Sequence, residues 1–196
     1  MLIALTGTLG GGKSTVLRFF DLFGVNTISA DEIVHELLET PKVRDQIQKY
    51  FGRKVFTPSG KIDRKKLAAR VFSNKDEKRY LESILHPLVF QTIFDKYSQN
   101  PKAITVAEVP LLFETATEDH FNKVIVVKTP IQVVKKRLQQ RGMSHEDIEA
   151  RMKHQIDLET KLAKADFIID NSGSLSETKK QVEDLVKILN AQNRSS

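Results

Sequence analysis

The sequence predicts an α/β fold, a five-stranded parallel sheet with helices on both faces, and three observations carry that prediction. Short apolar, β-branched runs recur along the chain and alternate with stretches of helical periodicity, the pattern of a parallel sheet covered on both sides. At 196 residues the chain suits one α/β domain with room for an insertion and can bury a sizeable core. Directly after the first apolar run, Met1-Leu2-Ile3-Ala4-Leu5, comes Gly7-Thr8-Leu9-Gly10-Gly11-Gly12-Lys13-Ser14, which matches G-x-x-x-x-G-K-[ST].

That match specifies the architecture further. A phosphate-binding loop needs a buried strand to anchor it and glycines that let backbone N–H groups curl round an anion. It also needs a following helix whose N-terminal amides and dipole favour negative charge. Val16, Leu17, Phe20 and Phe23 give the helix after the loop its apolar face, Lys13 is placed to reach the β- and γ-phosphates of a nucleotide, and the Ser14 hydroxyl to hold Mg²⁺. An ordinary glycine-rich turn needs one or two glycines, not a Lys-Ser pair at this offset from a strand. The expected fold is therefore a P-loop NTPase three-layer sandwich, one domain over residues 1–196.

Composition narrows the class. Cysteine is absent, which excludes disulfides, thiolate zinc sites and a cysteine nucleophile. The chain begins directly on a strand with no basic leader, and no apolar run approaches the roughly 18 residues of a membrane span, so a cytoplasmic protein without a membrane partner is expected. The 31 Lys+Arg against 25 Asp+Glu give a formal charge of +6. With few aromatics to stack bases and no basic block, that excess suits a site for phosphate-rich small molecules rather than nucleic acid, and a monomer is expected.

In chain order, Gly24 to Ser29 reads as a short second strand. Asp31 follows where strand gives way to a helix carrying Ile33, Val34, Leu37 and Leu38. A carboxylate at the carboxyl end of a parallel strand faces the ligand crevice, and Asp31 is equally placed to cap the helix. From about residue 40 to 100 the strand signal disappears. Pro41 opens a helix to Phe51, Phe56 to Gly60 is loop chemistry, and Asp63 caps a helix with Leu67, Ala68 and Val71 on one face. A longer helical stretch from Asp76 to Ser98 is expected to be interrupted at His86-Pro87. This block, 40–100, exceeds a simple crossover and reads as a helical substrate-binding insertion.

The third strand is Ala103 to Ala107, followed by Glu108-Val109-Pro110-Leu111-Leu112-Phe113-Glu114; the fourth is Lys123 to Lys128 and the fifth Asp166 to Asp170. Pro130 opens a helix from Ile131 to Arg141, and Leu175, Thr178, Val182, Leu185, Val186 and Leu189 form the stripe of a last helix, with fraying expected after Asn190. Arg137 and Arg141 lie four residues apart and share a helix face, with Arg151 beyond Gly142. In a phosphate-loop kinase this segment is where a hinged lid, here 137–156, brings arginines over the transferring phosphoryl group; elsewhere such arginines are a solvated face.

These residues carry a resemblance. The chain is similar to the dephospho-coenzyme A kinase family from Leu2 to about Val182. The shared pieces include Leu5-Thr6-Gly7 through Lys13-Ser14-Thr15, Ala30-Asp31-Glu32-Ile33-Val34-His35, and Gly60-Lys61-Ile62-Asp63-Arg64-Lys65-Lys66-Leu67. Others are Leu81-Glu82-Ser83-Ile84-Leu85-His86-Pro87, Pro110-Leu111-Leu112-Phe113-Glu114, Gln132 with Arg137 and Arg141, Arg151 with Gln155, and Asp170-Asn171. The phosphate loop is shared with many families. The Leu-Glu-x-x-x-His-Pro and Pro-Leu-Leu-Phe-Glu runs in this order are far more specific.

The resemblance implies ATP- and Mg²⁺-dependent phosphorylation of the ribose 3′-hydroxyl of dephospho-coenzyme A, the last step of coenzyme A synthesis. It implies Asp31 as the catalytic aspartate that orients the hydroxyl and accepts its proton. It further implies Gly10, Gly11, Gly12, Lys13, Ser14 and Thr15 as the ATP cradle, Arg64 and His86 on the acceptor side, Arg137 and Arg141 on the lid, and Asn171 near the adenine. Two positions depart from the family pattern: Ser29 stands where an aspartate is common, and Glu108 where many relatives carry aspartate. A nucleoside-monophosphate kinase is the nearer rival. A GTP-binding switch wants Asn-Lys-x-Asp, and Asn74-Lys75-Asp76-Glu77 has its aspartate one place early.

Overall fold

The structure is a computed structural model that describes residues 1–153 and 155–194. His154, inside the segment expected to form a lid, and Ser195 and Ser196 lie outside the described residues. The strands are β1 (Leu2–Gly7), β2 (Asn26–Ser29), β3 (Thr105–Glu108), β4 (Lys123–Lys128) and β5 (Phe167–Asp170). The helices are α1 (Lys13–Leu22), α2 (Ala30–Glu39), α3 (Pro41–Phe51), α4 (Arg64–Ser73), α5 (Lys75–Ser98), α6 (Ile131–Gln140), α7 (His145–Met152), α8 (Leu158–Ala163) and α9 (Leu175–Arg194). The chain divides into two units, Met1–Ser29 with Gln99–Ser196, and Ala30–Ser98.

The first unit holds the sheet. All five strands are parallel, in the order β2-β3-β1-β4-β5, as the sequence predicts. β1 is central and buried along its whole length, which is why its sequence is a continuous apolar run rather than an alternating one. The chain first builds outward from β1 toward β2 and then returns to lay β4 on the other side. The change of direction falls beside β1, where the carboxyl ends of the strands open a crevice. Ile3, Leu5, Ile125 and Val127 of the sheet pack with Val16 and Phe20 of α1 and Val182, Leu185 and Leu189 of α9 in one core.

Several boundaries differ from the sequence expectation. β3 ends on Glu108, whose register with both Leu5 and Ser29 keeps it in the ladder, so this carboxylate belongs to the sheet. Phe23 lies past the end of α1, at its C-cap, with the turn completed by Gly24 at φ 76°, yet still packs against the core. α9 does not fray after Asn190. It runs to Arg194, and the Asn193 amide donates to the Lys102 carbonyl at 2.9 Å, which ties its last turn down.

The second unit is helical. Leu38, Val43, Ile47, Phe51, Val55, Ile62, Leu67 and Leu85 form its core, and the Tyr50 and Tyr80 rings stack at 3.6 Å. Asp63 caps α4 by accepting the Lys66 N–H at 3.1 Å. The expected break at His86-Pro87 does not occur, and α5 is continuous through Pro87. Proline removes one helical hydrogen bond, and the buried Leu85, Val89 and Ile93 hold the two halves on one face. Among the described residues no helix is long and apolar enough to cross a membrane.

Candidate active site

The loop between β1 and α1 is wrapped tightly around its own backbone. Lys13, only 7% exposed, donates from Nζ to the carbonyls of Thr8 at 3.0 Å and Gly7 at 3.4 Å, and the Gly11 N–H closes a turn on the Thr8 carbonyl at 3.1 Å. Gly12 is left-handed at φ 94° and immediately precedes α1, a conformation that costs glycine little and other residues more. A Cβ at Gly12 would also overlap the Asn171 amide. Among the described residues no hydrogen bond takes the backbone N–H of Gly10, Gly12 or Ser14. These donors, at the head of a ten-residue helix, suit an anion.

The loop is fastened from three directions. The Gly11 carbonyl accepts from Thr129 Oγ1 and from Asn171 Nδ2, each at 2.8 Å, and Asn171 Oδ1 accepts from Thr178 Oγ1 at 3.0 Å. The Leu9 N–H donates to Gln155 Oε1 at 2.9 Å. Thr129, Asn171 and Thr178 are all buried. Of these, Asn171 was singled out from the sequence and Thr178 only as part of an apolar stripe, while Thr129 follows β4 in a place that sequence alone did not mark.

The Ser14 hydroxyl, otherwise exposed, lies 3.3 Å from Oε1 of the buried Glu108. A hydroxyl and a carboxylate side by side at a phosphate loop are oxygen donors of the kind magnesium prefers. Among the described residues no group of three or more His, Asp or Glu is arranged to hold a metal. A magnesium ion here would take its remaining ligands from phosphate and water, as is usual for that ion.

Arg137 on α6 belongs to the same neighbourhood. Its Nη2 donates to the Asn171 carbonyl at 3.2 Å, and its other terminal nitrogen lies beside Gly12. Arg141 is exposed at the C-cap of α6, followed by Gly142 at φ 82°. α6 and α7 share a small core of Val134, Leu138 and Ile148, and the Lys135 ammonium beside Glu149 holds that carboxyl below the usual carboxylate range. Beyond α7 the chain is anchored again. Glu114 accepts the Ile156 N–H at 3.0 Å and pairs with the fully buried Lys161 at 2.7 Å. The Pro-Leu-Leu-Phe-Glu run thus ends in a buried ion pair.

The remaining predicted site residues lie in the helical unit. Asp31 is exposed in the first turn of α2, which starts at Ala30, so it is not the cap of that helix. Among the described residues no hydrogen bond or ion pair occupies its carboxylate. Arg64 is half-exposed at the start of α4, 3.8 Å from Glu39, and His86 is half-buried on α5.

Comparison with known proteins fits this arrangement. The dephospho-CoA kinase family model matches residues 1–177. The dephospho-CoA kinase of Aquifex aeolicus is 41% identical over 184 residues, covering 92% of this chain and 93% of its own. The solved structure of dephospho-CoA kinase from Campylobacter jejuni is 31% identical with a TM-score of 0.74, covering 98% of both chains. A shikimate kinase from Acinetobacter baumannii, 14% identical with a TM-score of 0.53 over 97% of this chain and 93% of its own, shares the fold alone. On the extent of the family match and the identity to these relatives, the chain belongs to the dephospho-CoA kinase family.

Proposed function

We propose that the protein transfers the γ-phosphoryl group of ATP to the 3′-hydroxyl of dephospho-CoA, giving CoA and ADP. The observation that carries this reading is the length of the family match, residues 1–177, which takes in the phosphate loop, the helical unit and the arginine-bearing segment together. A likeness confined to the loop would support only nucleotide binding.

In this reading Gly10, Gly11, Gly12, Lys13, Ser14 and Thr15 cradle the phosphates of ATP. The backbone N–H groups and the Lys13 ammonium offset the charge that grows as the bond to the γ-phosphorus loosens. Magnesium, when bound at Ser14 and Glu108, supplies further charge neutralisation on the phosphates. Asp31 orients the ribose hydroxyl and accepts its proton as the new oxygen–phosphorus bond forms, a role for which its exposed carboxylate is available. Arg137 and Arg141, on a lid of residues 137–156, present guanidinium forks to the transferring group, and Gly142 supplies the lid's flexible joint. Asn171 serves the ATP side. Arg64 and His86, in a substrate-binding insertion over residues 40–100, serve the acceptor.

Dephospho-CoA differs from a mononucleotide by a pyrophosphate bridge and a pantetheine arm, so contacts remote from the ribose can help orient its hydroxyl. Coupled ADP-release assays with dephospho-CoA, AMP and adenosine as acceptors should give dephospho-CoA a far higher kcat/KM. A preference for AMP would replace this reading with a mononucleotide kinase.

A further inference from the structure

The Gly11 carbonyl is unusual in receiving two buried side-chain donors, Thr129 Oγ1 and Asn171 Nδ2, each at 2.8 Å. The two come from different strand ends: Thr129 directly follows β4 and Asn171 directly follows β5. Both are almost wholly buried, at 1% and 2% exposure, and Thr178 on α9, with none, completes the set. Their partners account for their buried polarity. The Asn171 amide must turn its nitrogen to the Gly11 carbonyl, since the reverse orientation would set oxygen against oxygen. Its oxygen then accepts from the Thr178 hydroxyl at 3.0 Å, and its own backbone N–H is taken by the Lys128 carbonyl at 2.8 Å.

A trans peptide is planar, and its N–H points opposite to its C=O. Holding the Gly11 carbonyl from one side therefore aims the N–H of Gly12 to the other. That N–H has no acceptor among the described residues, and it belongs to the left-handed residue that starts α1. The overlap of a Gly12 Cβ with the Asn171 amide means that the two are matched: the amide occupies the space that any larger residue at 12 would need.

We infer that Thr129 and Asn171, with Thr178 orienting the Asn171 amide, are positioning residues that fix the Gly11–Gly12 peptide so that its N–H faces the phosphates of the nucleotide. The inference rests on the proposed use of ATP. The three residues set nucleotide affinity and turnover by preorganising the loop from within the core, and Arg137, bonded to the Asn171 carbonyl, is referenced to the same point. A donor lost here leaves the fold closed around the loop but lets the peptide rotate.

The test compares Thr129→Val, which keeps the shape and loses the donor, with Thr129→Ser, which keeps the donor. ATP affinity is measured by calorimetry, kinetics are taken for both substrates, and melting temperature is followed alongside. Thr129→Val should weaken ATP binding about threefold to tenfold, the scale of one hydrogen bond, with KM for dephospho-CoA unchanged and Thr129→Ser close to wild type. Thr178→Val, distant from the loop except through Asn171, should show a smaller loss of the same kind and serves if Thr129→Val does not fold. Because each donor partly holds the carbonyl when the other is lost, Thr129→Val combined with Asn171→Ala should exceed the product of the single effects. Wild-type ATP affinity in Thr129→Val and Thr178→Val, or equal losses for both substrates that track melting temperature, would overturn the inference. A wild-type protein that binds no ATP would instead overturn the functional reading beneath it.

Discussion

The loop after β1 and the candidate acceptor residues Asp31 and Arg64 of the helical unit differ in how firmly their polar groups are held. In the loop the groups that set its shape are committed, with Lys13 buried on two carbonyls, Gly11 held by two side chains and Leu9 tied to Gln155, while the N–H groups of Gly10, Gly12 and Ser14 are left for a ligand. In the helical unit Asp31 and Arg64 stand at helix starts, Asp31 with no partner among the described residues and Arg64 with a long ion pair to Glu39. An ion pair at 3.8 Å between groups each nearly half exposed contributes little. The difference teaches where preorganisation is placed. Charge on phosphates is costly to solvate anew during a reaction, so the site meeting it is built in advance. The groups proposed for the acceptor have no comparable set of contacts.

The sharpest way to break this contrast is at Asp31. Asp31→Asn keeps the shape and a first-turn polar group but cannot accept a proton, so turnover should fall by about 10²–10⁴. Melting temperature should barely move, because the loss is confined to a favourable dipole interaction of about 0.3–1 kcal/mol. Turnover per folded molecule near wild type would remove Asp31 from the chemistry.

Lys13→Ala is the counterpart on the committed side. Turnover with saturating ATP and Mg²⁺ should drop by at least about a hundredfold. Unlike Asp31→Asn, it should also lower the melting temperature, since two carbonyls lose a buried donor. Thermal unfolding of both variants measures the contrast directly, and an unchanged melting temperature for Lys13→Ala would weaken it.

The arginines grade the contrast within one helix. Arg137 is fixed to the Asn171 carbonyl and Arg141 is exposed, so Arg137→Lys should reduce turnover more than Arg141→Lys does. Both should reduce turnover more than they weaken ATP binding, because an ammonium cannot reproduce the guanidinium fork. Steady-state kinetics with separately measured ATP affinities decide the matter, and wild-type values in both variants would return the arginines to the solvated surface.

The smallest effect is on acid stability. Lys135 depresses the Glu149 carboxyl in the folded chain, so the contact contributes above the ordinary carboxylate range and is lost as pH falls below it, through the folded value. Hydrogen exchange of α7 amides, corrected for intrinsic pH dependence, should accelerate below about pH 4 relative to α3, whose one carboxylate, Asp45, makes no ion pair among the described residues. Equal behaviour of the two helices would count against this local linkage.

The legible parts of the sequence were those with a local cause. β4 as Lys123–Lys128 follows from an unbroken β-branched run, and α3 as Pro41–Phe51 from proline at its first position. The loop was legible because its glycines, lysine and serine are adjacent. Pro87 misled because its cost is local while the burial of Leu85, Val89 and Ile93, which overrides it, is a tertiary property. α7 and α8 were missed as helices. Both are short, although Ser144 with Asp147 and Asp157 with Thr160 are capping pairs that mark their starts. Thr129 was invisible as a site residue because its partner Gly11 lies 118 positions away. The sequence offered two signals of that network: Asn171, through the family resemblance, and Thr178, a polar residue inside an otherwise apolar stripe.

Phosphorylation of the 3′-hydroxyl of dephospho-CoA by this chain is tested by identifying its product. Purified protein is incubated with ATP, Mg²⁺ and dephospho-CoA, and the product is examined by mass spectrometry and phosphorus NMR. The expected product is an acceptor heavier by one phosphoryl group, carried as a monoester on the ribose 3′ oxygen, with one ADP formed per product. A phosphate at any other position, or ADP release without an altered acceptor, would contradict it.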